Sequence, residues 1–197
     1  MGVVIMKLKK LIKGCVLSLL MGSLLTMNVS AMDSYVIYFT GYRQKTFSWC
    51  WVASAETSAK YMTSSKHDQY STVRYLKGTN TNPYPEVSGD IYDIANAANY
   101  ISYNKFSYKG YNSIRTEFFL IGQLNSNKMP IAGASRYKNG VKNGGHATPI
   151  CGMFVYNDGT IYIGYYDPLN DSVLSCKFQE FCDGSYNGRK YDSTCYI

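Results

Sequence analysis

The segment Gln44-Lys45-Thr46-Phe47-Ser48-Trp49-Cys50-Trp51 joins a polar loop to a run of helix-forming residues and sets a thiol at the junction. Unpaired N–H groups and the helix dipole favour an anion at such a start, so the thiol pKa of Cys50 is expected to fall. An ordinary thiol is only a few per cent thiolate at neutral pH, and a shift of this kind turns it into a nucleophile. Gln44 stands six positions earlier. Its amide can fold back over the sulfur and, with the backbone N–H of Cys50, donate to the oxyanion of a tetrahedral intermediate. The competing reading makes Cys50 a structural half-cystine beside two core tryptophans.

A nucleophilic thiol needs a base. The chain has two histidines. His67 lies in the polar stretch Ser64-Ser65-Lys66-His67-Asp68 and reads as a solvated surface residue. His146 follows Asn143-Gly144-Gly145 and opens the apolar strand Ala147-Thr148-Pro149-Ile150, so it can reach across a cleft from a fixed base and take the proton of Cys50. A third group must orient the imidazole. Asp167, in Tyr165-Tyr166-Asp167-Pro168, ends the next expected strand, and a hairpin would bring it back beside His146.

The elements that must carry these groups can be read from periodicity and punctuation. Ser34 to Phe39 is rich in strand formers. Val52, Ala55, Ala59 and Met62 recur at helical spacing from Cys50 to about Met62, and a second helix is expected from Asp68 to Lys77, stopped by Gly78. Thr79 to Val87, with Pro83 and Pro85, reads as a long loop. Ser88 is the expected N-cap of a helix running to Tyr100 with Ile91, Ile94, Ala95 and Ala98 on one face. Ser113 is the expected cap of another, presenting Ile114, Phe118, Ile121 and Leu124. Beyond Pro130 the pattern is strand, and Asn157-Asp158-Gly159 between Ile150–Tyr156 and Thr160–Tyr166 is a hairpin turn. Helices first and strands second predict an α+β fold, a helical lobe packed on an antiparallel sheet. The 20 tyrosines are expected to pack with their hydroxyls toward solvent.

In residue type and order, Gln44, Cys50-Trp51, His146-Ala147 and Asp167 resemble the papain-like cysteine proteases. The Gln-to-Cys spacing, the Trp after Cys and the Ala after His match as well. The Asp-Pro ending is closer to bacterial branches, the avirulence-type papain-like proteases and the bacteriocin-leader peptidases, than to plant papains, where Asn-Ser-Trp-Gly is usual. The resemblance covers Gln44 to Leu169 and lacks the glycine-rich segment of papain around the cysteine. It implies a cleft between a helical lobe bearing Cys50 and a sheet lobe bearing His146 and Asp167. It also implies hydrolysis of peptide bonds through a Cys50 thioester, with Gln44 in the oxyanion hole and no cofactor. The same machinery serves an acyltransferase, a transpeptidase or a cell-wall amidase, and a disulfide-stabilised binding domain without catalysis is the reading from another class.

The amino-terminal region sets the context. A basic patch from Lys7 to Lys13, an apolar run from Val16 to Leu25, and Val29-Ser30-Ala31 form the layout of a secretory signal peptide, residues 1–31. An uncleaved membrane anchor is the alternative, but the apolar run is short for a spanning helix. Cys15 precedes that run, which argues against lipidation. Cleavage after Ala31 leaves 166 of the 197 residues, one ordinary domain at 32–197, and no room for an inhibitory propeptide. Removing the four lysines of the patch lowers the net charge from +7 to +3. No basic cluster then remains to recruit nucleic acid, and a peptide or protein substrate is the expected partner. An exported chain meets an oxidising environment. Its five cysteines, Cys50, Cys151, Cys176, Cys182 and Cys195, leave at least one unpaired within the chain. A Cys176 disulfide to Cys182 or Cys195 would pin the carboxyl-terminal tail. Their spacing is not that of a zinc site.

Overall fold

The computed structural model describes residues 31–78 and 86–197. The expected signal peptide up to Ser30, with Cys15, and residues 79–85 of the expected loop lie outside the described residues. No helix among the described residues is long and apolar enough to cross a membrane.

In chain order the elements are β1 (Ala31–Val36), α1 (Cys50–Met62), α2 (Gln69–Lys77), α3 (Ile91–Ile101), β2 (Lys109–Tyr111), α4 (Glu117–Asn125), β3 (Ile131–Lys138), β4 (Val141–Tyr156), β5 (Ile161–Asp167), β6 (Ser172–Lys177), α5 (Phe178–Asp183) and β7 (Lys190–Tyr196). The class is α+β, with an open antiparallel sheet ordered β2-β7-β3-β4-β5-β6 and β1 also paired to β4. β4, at 16 residues, is the strand the others share. Its first half pairs with β3, Ile131 opposite Pro149. Its second half lies between β5 and β1, with Ile150 opposite Tyr165 and Val36 opposite Gly152. His146 therefore sits inside β4 rather than opening it. The strand begins five residues earlier, at Val141, because β3 is long enough to pair with that stretch as well. β1 likewise begins and ends three residues before the expected Ser34–Phe39 strand, where β4 offers it partners.

The sheet separates two apolar clusters. One gathers Trp49, Trp51, Val52, Ala55 and Ala59 with Ile94, Ala97, Ala98 and Ile101 of α3, and with Ile131, Ala147 and Cys195 of the sheet. The other gathers Leu120 and Leu124 of α4, Ile150, Met153, Ile163, Tyr165, Phe181 and Tyr191. α1 is buried over Trp51 to Ala59 without a break, so it is a central helix rather than one with a single apolar stripe. Its polar side chains are accordingly satisfied inside. Ser54 Oγ donates to the Ala147 carbonyl at 2.8 Å, Ser58 Oγ to the Met129 carbonyl at 2.6 Å, and Glu56 accepts from Lys60 at 2.7 Å and from Gln69 at 3.0 Å.

Helix boundaries follow the caps. Asp68 accepts from Ser71 N at 2.8 Å, and Gly78 ends α2 in the left-handed region at φ 64, both as the sequence implies. α3 starts two residues later than a Ser88 cap requires. Asp90 accepts from the N–H groups of Tyr92 and Asp93 at 2.8 Å, and Asp93 reaches back to Asp90 N, closing a capping box. α4 is capped by Thr116 rather than Ser113. Its apolar face agrees with the expected one at Leu124, which is buried, but Leu120 is buried in place of the exposed Phe118, and Ile114, also exposed, lies before the helix. The hairpin turn forms as expected, with Gly159 N donating to the Tyr156 carbonyl at 2.9 Å and Gly159 at φ 81. Tyr108, Tyr165, Tyr166 and Tyr191 are buried rather than solvent-tipped.

Because Asp90 satisfies two of the first-turn donors, Asp90→Ala should cost about 1 kcal/mol of stability, and Ser88→Ala much less. Urea midpoints of the two variants against the parent decide between the two caps.

Candidate active site

Cys50 is the first residue of α1. The preceding Trp49 supplies no side-chain cap, and no acidic residue stands in the first turn. The helix start is therefore open, with first-turn N–H groups that the helix itself does not use. The Cys50 sulfur fills that position, with the backbone N–H groups of Trp51 and of Ala147 directed at it. The loop before it is held from several sides. Gln69 donates to the Arg43 carbonyl at 2.9 Å and accepts from Lys45 N at 2.9 Å, bracketing Gln44. Gln44 N donates to the Pro168 carbonyl at 2.9 Å, tying this loop to the residue after Asp167. Glu86 accepts from Ser48 N at 2.8 Å.

The imidazole comes from the sheet. His146 Nε2 lies 2.7 Å from Asp167 Oδ1, with both side chains buried. With that nitrogen engaged, Nδ1 is left to face the Cys50 thiol, which is within hydrogen-bonding reach of the ring. Asp167 ends β5 and is itself fixed. Its Oδ1 also accepts from Leu169 N at 2.9 Å, and its Oδ2 accepts from Asn170 Nδ2 at 2.7 Å. Ser54 completes the frame. It lies one helical turn after Cys50, and its bond to the Ala147 carbonyl docks the cysteine-bearing face of α1 on the residue next to His146.

The electrostatics follow from these contacts. Burial alone would raise the Cys50 thiol, but the hydrogen bond and charge of His146, with the two backbone N–H groups, outweigh it and bring the thiol below its ordinary value. Burial alone would lower His146, yet Asp167 and Cys50 together raise it. Burial would raise Asp167 too, and the contacts with His146, Leu169 and Asn170 hold it down at about 2. All three shifts run toward the charged forms, thiolate, imidazolium and carboxylate. The other four described thiols go the other way. Burial pushes Cys151 and Cys176 up to about 12 and Cys182 to about 11, and it raises Cys195 as well.

Cys50, His146 and Asp167 are thus brought together as the sequence anticipates. Gln44 is buried beside the site, but its orientation differs from the expected one. Its Nε2 donates to the carbonyls of Thr46 at 2.9 Å and Phe47 at 2.7 Å, so its donors support the loop rather than point over the sulfur. All five described cysteines are free thiols in this structure, Cys176 and Cys182 lying in one apolar cluster without a bond between them. Cys176 and Cys195 belong to different apolar clusters. His67 is not a plain solvated residue: its ring packs against Tyr100 at 4.2 Å and Tyr103 at 4.7 Å. Sequence reasoning missed Ser54, Gln69 and Asn170. Ser54 and Asn170 were within view, as an i+4 neighbour of Cys50 and a polar residue three after Asp167. Gln69 carries no such local signal.

Each of the two shifted groups contributes to the shift of the other. Alkylation of Cys50 by iodoacetamide should therefore stay fast at pH values below the ordinary thiol range. In His146→Ala the uncompensated burial should move the midpoint of that profile upward. Rates measured by peptide mapping across pH 4–10 read this directly, and an unmoved midpoint would break the coupling. No protein-family model and no curated protein sequence matches this chain, and the chemistry of the site rests on its own residues.

Proposed function

We propose that the chain is a secreted, papain-like cysteine peptidase. The observation that carries this reading is the contrast among the thiols: Cys50 alone of the five described is pulled below its ordinary pKa, and it is the one facing a carboxylate-oriented imidazole. Secretion is supported by the layout of residues 1–31, and the papain-like assignment by the residue types and order of Gln44, Cys50-Trp51, His146-Ala147 and Asp167.

In this mechanism the Cys50 thiolate attacks the scissile carbonyl carbon, forming the S–C bond and an oxyanion. The backbone N–H of Cys50 donates to that oxyanion. Gln44 becomes a second donor by exchanging one of its loop carbonyls for the charged oxygen, a stronger acceptor. Collapse of the oxyanion breaks the C–N bond as His146 Nδ1 gives its proton to the leaving amine. The neutral imidazole then takes a proton from water, which attacks the thioester. The C–S bond breaks, the acid product leaves, and the thiolate–imidazolium pair is restored. Asp167 keeps its charge throughout, holding the ring in one tautomer and stabilising the imidazolium, with Asn170 fixing the carboxylate.

Cys50→Ala should lower peptidase kcat/KM on the order of 10⁴-fold or more with circular dichroism unchanged. A thiol-directed epoxide should label Cys50 in the parent. Full activity in Cys50→Ala sinks the assignment. Mass spectrometry of products formed with and without an added amine separates hydrolysis from acyl transfer at the same site. Gln44→Ala should lower kcat by about 10²-fold with little change in KM, as loss of an oxyanion donor does. A fall in denaturation midpoint with kcat intact would instead leave Gln44 as a loop support only.

A further inference from the structure

β7, β3 and β4 place Tyr191, Ala134 and His146 side by side across the sheet. Two residues before Tyr191 stands Arg189, and two after Ala134 stands Arg136, both toward the same end of the sheet. Arg189 immediately precedes β7, whose first residue Lys190 lies opposite Ser135, so it comes beside Arg136 at the end of the sheet that carries His146. Arg136 falls at a shift of register between Ser135 and Tyr137, the kind of bulge that re-aims a side chain beside a site. On β4 this ground is covered by Gly144 and Gly145. A Cβ at Gly144 would meet nothing within 4 Å. β4 therefore carries no side chain at these two positions.

The electrostatics agree with this placement. Arg189 is half-buried, and its guanidinium feels the charges of Cys50, Asp167 and Arg136. Neither arginine forms an ion pair with a carboxylate among the described residues. The two nearby acids are committed elsewhere. Asp192 faces Lys142 at 3.5 Å and Tyr137 Oη at 3.4 Å, and both oxygens of Asp167 are occupied. A half-buried Arg189 and an exposed Arg136 thus stand at one end of the sheet near the catalytic groups, neither in an ion pair with a described carboxylate, an arrangement that an incoming carboxylate completes.

We propose that Arg189, flanked by Arg136, is a carboxylate-binding corner of the substrate groove on the leaving-group side, so that preferred substrates carry a carboxylate just beyond the scissile bond. The side follows from His146: the segment whose amine it protonates must pass over the sheet lobe, where Arg189 stands. This inference rests on the peptidase reading. The carboxylate has two possible sources, an Asp or Glu side chain or the carboxyl terminus of a short peptide.

Four otherwise identical peptides, with Glu or Gln after the cleaved bond and a free or amidated carboxyl terminus, separate those sources. Preference for Glu over Gln assigns the side chain, and preference for acid over amide assigns the terminus. In either case the preference should fall about tenfold in Arg189→Gln, be largely kept in Arg189→Lys, and turn toward a Lys-bearing peptide in Arg189→Glu. Equal kcat/KM for all four peptides in the parent overturns the proposal. A second measurement needs no turnover. The ratio of Cys50 alkylation by anionic iodoacetate to that by neutral iodoacetamide should also fall about tenfold in Arg189→Gln. An unchanged ratio with Cys50 still reactive defeats the carboxylate corner and leaves the peptidase reading standing. A fallen ratio without cleavage of any peptide defeats the peptidase reading and keeps the anion site. Unreactive Cys50 towards both reagents defeats both.

Discussion

The hydrogen bond from Ser54 Oγ to the Ala147 carbonyl, 2.8 Å long and fully buried, joins the two halves of the site. It connects the helix that begins with Cys50 to the strand residue that follows His146. A buried carbonyl left without a donor costs about 1–3 kcal/mol, so α1 cannot slide along β4 without losing this contact. The same residue pair lies in tightly packed surroundings. Trp51 and Val52 are buried beside it, and Gly89 stands where any Cβ would run into the Trp51 ring at 2.5 Å. Thiol and imidazole are therefore placed by two rigid elements rather than by loops, which is the condition for holding reacting groups within a fraction of an ångström.

On that frame each charge supports the next. A thiolate in a half-buried position is unfavourable by itself, and so is an imidazolium; each helps the other shift in its charged direction, with Asp167 adding to His146 and two backbone N–H groups adding to Cys50. Asp167 extends the series, and its own charge is secured by the Leu169 N–H and the Asn170 amide. The proline after Asp167 has a part in this arrangement. Its carbonyl accepts from Gln44 N, so the turn that fixes the carboxylate also anchors the loop leading to Cys50. The two ends of the site, separated by more than a hundred residues in sequence, are closed against each other through that bond.

Much of this was legible in the chain because it is written in local signals. α1 and α2 begin and end where helical periodicity, Asp68 and Gly78 place them, and the Asn157-Asp158-Gly159 turn supplies the left-handed residue a tight hairpin needs. That turn returns Asp167 to His146, which is why a contact between residues 21 apart could be anticipated. What was not legible depends on tertiary choice. Ser88 and Asp90 are both competent caps, and the reciprocal bond from Asp93 selects the second. Phe118 and Leu120 are both apolar, and the sheet surface available to α4 decides which is buried. The Gln44 amide has donors for either an oxyanion or the loop, and the loop carbonyls of Thr46 and Phe47 take them.

The described thiols divide by whether their surroundings favour or suppress the thiolate. An exposed cysteine of ordinary pKa in an oxidising environment exchanges into disulfides, and the attacking species is the thiolate. Burial raises Cys151, Cys176, Cys182 and Cys195 far enough that their thiolate fraction at neutral pH is very small. Cys151 and Cys195 are in addition almost without solvent contact. Cys50 carries the opposite risk, since the features that make it nucleophilic make it oxidisable. Its sulfur stands half-buried at the start of α1, against the buried His146 ring. One fold thus keeps a single sulfur reactive by pairing its charge, and keeps the others silent by denying theirs.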